Sequence, residues 1–165
     1  MKSVCVISPP GTYFATSTTW QRRSVFAAEP MARLFLQTLY SYRRQGNFQL
    51  HAFALMPEYF HLLLTPEGIS LERAMQFIRV GYSHAVSDRL GSTIETWERG
   101  FTDHRIRDVE DFEHHRMYIH RNPVERKLVV NACEFRYCSA FPGFRLDPWH
   151  SAAEAGLLSS SWGYD

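Results

Sequence analysis

The sequence predicts an α+β protein, a split βαβ sandwich in which an antiparallel sheet carries helices packed on one face. Three observations lead there. Segments with strand and helix patterning follow the order strand, helix, strand, strand, helix, strand, helix. Only Pro57-Glu58 separates the second and third strands, and so short a link implies a hairpin. No internal repeat or low-complexity linker interrupts the 165 residues, a length that suits one domain with a real core.

After a Pro9-Pro10-Gly11 turn, Thr12 to Thr18 has the β-branched and aromatic content of a first strand. Arg22 and Arg23 fall in the loop behind it. Pro30 suits the first turn of a helix; Met31, Leu34, Phe35, Leu39 and Tyr42 recur at helical spacing until Gly46 stops it. Arg43 and Arg44 sit in its last turn, where they complement the negative end of the helix dipole. Phe48 to Met56 alternates as a second strand, and the third lies within Met56 to Pro66. Ser70 is a suitable N-cap for a second helix. Its buried stripe is Leu71, Ala74, Met75, Ile78, Tyr82, Ala85 and Val86, ending near Gly91. Arg73 and Arg79 take other faces and are expected in solvent. Trp97 to Phe101 reads as a loop and Thr102 to Ile106 as a short strand. Asp108 and Asp111 open a third helix in the manner of a capping box. It runs toward Asn122-Pro123, because the residue before a proline is disfavoured in the α region. Residues 1–150 form the expected domain, and the small and polar residues from Ser151 to Asp165 the expected mobile tail.

Composition narrows the classes. A hydrophobic share of 45% with 15% aromatics is that of a folded globule. No apolar run approaches the roughly 20 residues of a membrane span, and Met1 to Ser8 is too short in apolar residues for a secretory signal. Cys5, Cys133 and Cys138 are odd in number and form no CxxC or zinc-ligand set, so they read as reduced thiols of a cytoplasmic protein. A net charge of +1 neither favours nor excludes nucleic acid, but its distribution is uneven. Up to Pro66 the bases Lys2, Arg22, Arg23, Arg33, Arg43 and Arg44 face only Glu29 and Glu58.

Two places carry polar groups that need a reason. On the third strand Tyr59 and His61 are two apart and project to the same side, while Phe60 and Leu62 point the other way. Burying such a pair costs free energy unless it is partnered. A satisfied core histidine beside an ordinary tyrosine is the simpler explanation. On the third helix Val109, Phe112, Arg116, Ile119 and Pro123 share one side, and Asp111, His115, Tyr118 and Asn122 make an adjoining polar stripe. Tyr118 and Asn122 stack one turn apart. They make a surface patch, or something with a chemical use. A tyrosine oxygen attacks a phosphodiester once a divalent metal polarises the phosphate, and an amide oxygen is a hard ligand suited to Mg²⁺ or Mn²⁺.

Three motifs then occur in order: Ala54 to Leu63 (ALMPEYFHLL), Trp97 to Asp108 (WERGFTDHRIRD) and Tyr118 to Val124 (YIHRNPV). Through them the chain resembles the REP-associated tyrosine transposases, a branch of the HUH endonucleases that cut and rejoin single-stranded DNA. The resemblance runs from about Gly11 to about Ser139. It implies a ferredoxin-like core whose central strand offers metal ligands as His-hydrophobic-His, with His61 as the second histidine. It further implies Tyr118 as the single nucleophile, giving a 5′-phosphotyrosine and a free 3′-hydroxyl, and Asn122 as the third metal ligand. The implied ion is Mg²⁺ or Mn²⁺. The implied substrate is hairpin DNA from repetitive extragenic palindromes with a single-stranded flank, bound by a monomer or a homodimer. His104 matches a histidine of the family pattern, near the site or in a structural hydrogen bond; His115 is a second possible neighbour. Phosphate contacts are expected from Arg22, Arg23, Arg105, Arg107, Arg121 and Arg126.

One position departs from the pattern. Tyr59 stands where the family has its first histidine, and a neutral phenol with a pKa near 10 is a poor ligand for these ions. It is also bulkier than imidazole and can fill the metal position. His51 lies on the neighbouring strand with no obvious way to replace it. Two functions follow: a working endonuclease and strand transferase, or a hairpin-DNA-binding relative that cleaves poorly or not at all. An RNA-binding sheet is a third class, for which no RNP-like aromatic motif is present.

Overall fold

The computed structural model describes residues 7–151 and Glu154. Its elements are β1 (Tyr13–Thr18), α1 (Glu29–Arg44), β2 (Phe48–Met56), β3 (Tyr59–Pro66), α2 (Leu71–Leu90), β4 (Thr102–Arg105) and α3 (Val109–Glu125). The sheet order is β2-β3-β1-β4, antiparallel at every pairing, as a split βαβ sandwich requires. Residues 1–6, with Cys5, and most of the expected tail lie outside the described residues. Among the described residues no helix is long and apolar enough to cross a membrane.

The local signals act as their chemistry dictates. Met56 pairs directly with Tyr59, so Pro57-Glu58 is a two-residue hairpin link. The Ser70 side chain accepts from the Arg73 N–H, and Gly91 closes α2 with a left-handed φ of 69°. At α3 only half of the capping box forms. The Asp108 side chain accepts from the Asp111 N–H, while the Asp111 carboxylate turns away to the Arg107 N–H and to His104. Pro123 is accommodated inside α3. The Ile119 carbonyl, deprived of its partner four residues on, faces the Cys138 thiol at 4.0 Å.

The placement of α3 differs from the expected single helical face. Helices α1 and α2 do share a face: Phe35, Leu39, Met75, Ile78 and Tyr82 pack with Tyr13, Ala15, Phe60, Leu62 and Leu64. Helix α3 lies on the other face, where Phe112 and Ile119 meet Ala52, Ala54, Met56 and Leu63. The physical reason is in β2, which is buried on both sides from Leu50 to Met56. Its small residues Ala52 and Ala54 leave room for a helix on the second face. That face is also the one Tyr59 and His61 point to, so the reversal is what brings helix and strand residues together.

One further placement departs from expectation. Arg79 is half-buried rather than solvated; its guanidinium lies 5.8 Å from the Trp97 ring centre and donates to the Glu98 carbonyl at 2.5 Å. The stretch after α3 packs back against the domain, as the expected boundary near residue 150 requires. Ser139 and Tyr137 pair with β2, through Ser139 N–H to the Phe53 carbonyl and Leu55 N–H to the Tyr137 carbonyl. This covers a sheet edge that would otherwise present unpaired backbone. Asp147 then holds Arg43 in a bidentate pair at 2.9 and 2.6 Å and accepts the Leu50 N–H at 2.8 Å. So Arg43 does more than complement a dipole. Asp147→Ala leaves both a largely buried guanidinium and a backbone donor without their acceptor, and should cost about 3 kcal/mol in a denaturant melt. A cost under about 1 kcal/mol would mean that the arm is held by its aromatic contacts alone.

Candidate functional site

Strand β3 and helix α3 bring four side chains together. The buried Tyr59 hydroxyl donates to Asn122 Oδ1 at 2.6 Å. The Tyr59 and His61 rings are 4.9 Å apart, and the His61 and Tyr118 rings 5.5 Å apart. Tyr118, Asn122, His61 and Tyr59 therefore share one site. Tyr118 is 41% exposed while His61 and Asn122 are 5% exposed each, so the phenol of α3 faces solvent at the rim of a buried polar floor.

His61 is held from β1. Thr16 is its cross-strand partner, and Thr16 Oγ1 lies 2.7 Å from His61 Nδ1. With Nδ1 donating to that hydroxyl, the lone pair sits on Nε2, which is buried and has no hydrogen-bond partner among the described residues. Burial pushes the His61 pKa down to about 4. A folded-state value below the ordinary value of about 6.5 means that neutral His61 contributes its full stability above about pH 6.5. That contribution is lost as pH falls toward 4, with a slope near 1.4 kcal/mol per unit and a total of about 3 kcal/mol. His61→Gln should flatten the pH profile of stability between about 6.5 and 4; an unchanged slope would place the ring in water.

Around Tyr59 the network is closed. Burial raises its pKa, against the opposing influence of Arg126, whose guanidinium donates to the phenol oxygen at 3.2 Å. The other arm of Arg126 is bound to Glu58 at the hairpin tip, and Arg22 reaches the same carboxylate at 4.0 Å. Tyr59 thus stays a neutral phenol whose proton is committed to the Asn122 amide oxygen.

Two of these donors suit the metal implied by the resemblance, and one does not. An unpartnered, buried imidazole Nε2 is what a ligand nitrogen looks like, and the Asn122 amide oxygen is a suitable hard ligand. Tyr59 does not fit, since it supplies a neutral oxygen and already occupies Asn122 Oδ1. His51 offers no substitute. Its Nδ1 meets the Asp147 carbonyl and its Nε2 the Thr65 hydroxyl, both at 2.8 Å, three residues along β2 from the partner of His61.

His104 and His115 form a separate cluster beside the site. Their rings stack at 4.5 Å, His104 Nε2 lies 2.8 Å from Asp111 Oδ2, and His115 Nδ1 lies 3.2 Å from Asp111 Oδ1. Burial would raise the Asp111 pKa, but the hydrogen bonds from His104 and the Arg107 N–H outweigh it and hold the carboxyl at about 2. Phe14 links cluster and site: its ring centre lies 5.2 Å from His61, 5.0 Å from His115 and 5.8 Å from Tyr118.

The six arginines do not form one patch. Arg22, Arg23 and Arg126 gather near the β2–β3 hairpin, with Arg22 and Arg126 sharing Glu58. Arg105 and Arg107 lie at the other end of β1, opposite Tyr13, where Arg105 donates to the Pro10 carbonyl at 2.8 Å and Arg107 sits 3.4 Å from Asp111. Arg121 is exposed on α3. Phe14, Thr16 and the Glu58–Arg126 pair went unread in the sequence as parts of the site. The period-2 rule puts Phe14 and Thr16 on one face of β1, but only the strand register sets them against His61. His120, within the third motif, is structural: its Nε2 lies 2.8 Å from the Ser139 hydroxyl that caps the Phe53 N–H.

Comparison with known proteins adds three findings. Residues 12–122 match the family described as "Transposase IS200 like". The chain is 25% identical over 157 residues to a REP-associated tyrosine transposase of Escherichia coli K12, spanning 94% of this chain and 86% of that protein. Among solved structures, a REP-associated tyrosine transposase bound to a REP hairpin superposes with a TM-score of 0.70 at 23% identity, over 92% of each chain. A putative transposase from Deinococcus radiodurans R1 gives 0.51 at 21% identity, over 77% of this chain and 98% of that one.

Proposed function

Because the chain belongs to the IS200-like transposase family, we propose that it is a single-strand DNA endonuclease and strand transferase acting on palindromic hairpins, with Tyr118 as nucleophile. One observation supports this most: an exposed phenol on α3 stands 5.5 Å, ring to ring, from a buried imidazole on the central strand. The relative captured on a REP hairpin makes that class of DNA the substrate to try first. Tyr118 Oη attacks the scissile phosphorus as its own proton departs to solvent. The P–O3′ bond breaks, the 3′-oxygen takes up a proton, and a 5′-phosphotyrosine remains. His61 and Asn122 are the residues that would hold Mg²⁺ or Mn²⁺, an ion that polarises the phosphate when bound. Phe14 braces the Tyr118 ring against the sheet, and the Thr16 hydroxyl keeps His61 Nε2 aimed inward.

A second reading rests on a specific contact. The Tyr59 hydroxyl at 2.6 Å from Asn122 Oδ1 blocks one of the two remaining ligands, which favours a relative that binds hairpins and cleaves them poorly. A hairpin with a single-stranded flank, labelled at its 3′ end and incubated with Mn²⁺, separates the two. A covalent band on a denaturing gel supports the transferase; binding without that band supports the impaired relative. Binding should weaken steeply with salt, log K falling by about 0.7–0.9 per phosphate contact for each unit of log salt. Salt-independent binding would remove the nucleic-acid reading altogether.

A further inference from the structure

The cluster at the start of α3 is not needed to explain the site at Tyr118, yet it has the composition of a ligand set. His104 comes from β4, Asp111 from the first turn of α3 and His115 from the next turn, so an edge strand and a helix converge on one point. One ligand atom from each residue can be chosen such that all lie within 4.8 Å of one another. Around a tetrahedral ion with bonds near 2.0–2.1 Å, neighbouring ligands stand about 3.3 Å apart. The two imidazole nitrogens already lie 2.8 and 3.2 Å from opposite oxygens of the same carboxylate. The nitrogens must still approach each other, and the rings, now stacked at 17°, must turn toward one point. His104, with 40% of its side chain exposed on a short edge strand, has the freedom to move.

We propose that His104, Asp111 and His115 bind a divalent first-row transition ion of the zinc class. Two imidazoles and one carboxylate form a borderline nitrogen–oxygen set that suits Zn²⁺ or Co²⁺ better than Mg²⁺, which prefers an all-oxygen octahedron. Asp111 supplies the negative charge from a buried position, its side chain 6% exposed. The remaining coordination positions open toward solvent on the His104 side. His115 Nδ1 also lies 2.8 Å from the Asp111 backbone carbonyl, a hydrogen bond that an ion taking that nitrogen would replace. The Arg107 guanidinium is the one cation beside the carboxylate among the described residues. It is 76% exposed at 3.4 Å and free to swing outward.

Occupancy would tie edge strand β4 to the helix that carries Tyr118. His115 lies one turn before Tyr118, and the same Phe14 ring touches both. The ion's role is therefore positioning. It differs from any ion at His61 and Asn122, since His61 sits across Phe14 on β3 and Asn122 lies seven residues further along α3 than His115.

The test uses the intact protein, stripped with chelator and titrated with Co²⁺, reading visible d–d absorption and the thermal midpoint. One Co²⁺ per chain should bind, displaceable by Zn²⁺, with a rise in Tm. His115→Gln and, separately, the more exposed His104→Gln should each lower the affinity at least about tenfold and abolish the Tm rise. Tyr118→Phe and the α2 surface change His84→Gln should bind as wild type. No Co²⁺ absorption, or binding lost in His61→Ala but kept in His115→Gln, would overturn the proposal. Dependence on His84 would identify adventitious surface binding and overturn it equally. Circular dichroism of each variant separates a lost ligand from a lost fold, and His104→Gln at the sheet edge is the variant least able to unfold the chain.

Discussion

Tyr118→Phe is expected to abolish covalent capture of hairpin DNA, by at least about 10⁴-fold in rate, while leaving hairpin affinity within about twofold of wild type. The substitution removes one oxygen and nothing else. That oxygen has no hydrogen-bond partner among the described residues, and the ring keeps its contacts with Phe14 and His61. With 41% of the residue in solvent, stability should change by less than about 1 kcal/mol, so loss of the adduct cannot be blamed on unfolding. The phosphate contacts expected of the arginines would be untouched. The paired measurements are the denaturing-gel adduct and fluorescence anisotropy on the same labelled hairpin. An adduct that persists in Tyr118→Phe would sink the assignment. Tyr59 could not easily inherit the role, since its phenol is 8% exposed and its proton is given to Asn122.

Why this much of the site was legible in the sequence, and no more, follows from which features are local. Alternation along β3 put Tyr59 and His61 on one side, and the helical repeat put Tyr118 above Asn122; both are properties of a single element and both hold. The hairpin, the Ser70 cap and the Gly91 stop were equally local. What escaped was set by pairing between elements. The face taken by α3 depends on the small side chains of Ala52 and Ala54, a volume effect that strand periodicity does not express. The contact of Thr16 with His61 needs the β1–β3 register, and the contact of Arg126 with Tyr59 needs the helix to cross the hairpin tip. Asp147 and Trp149 sit in a segment whose composition reads as loop. A few long-range contacts hold it, Arg43 on one side and a Phe112 ring stacked 4.3 Å from Trp149 on the other. The arginines illustrate the same limit: charge can be counted in a sequence, but the fold divides five of these six between the two ends of β1 and leaves Arg121 on the exposed face of α3.

Tyr59→His should do the reverse of most substitutions in a buried site and increase activity. In the natural chain the Tyr59 phenol subtracts twice: it supplies no imidazole, and it holds Asn122 Oδ1 at 2.6 Å. An imidazole at 59 points to the same side as His61 and is smaller than the phenol, so two ring nitrogens and a released amide oxygen can face one point. Mn²⁺ affinity should rise at least about 10–100-fold, the range that loss of a mere supporting partner costs, and adduct formation should rise with it. Folding should weaken by about 1–2 kcal/mol without the hydroxyl's bonds to Asn122 and Arg126. Tyr59→Phe serves as the control, because it frees Asn122 but adds no nitrogen. If Tyr59→Phe alone restores cleavage, the hydroxyl acts as a plug on Asn122 and the missing histidine is immaterial. If only Tyr59→His restores it, the ligand itself is what the natural chain lacks. Calorimetric Mn²⁺ titration and the gel assay, run together on both variants, decide between them. Unchanged Mn²⁺ affinity in Tyr59→His would mean that position 59 never faced the ion, and the reading of this site as an altered HUH centre would fail with it.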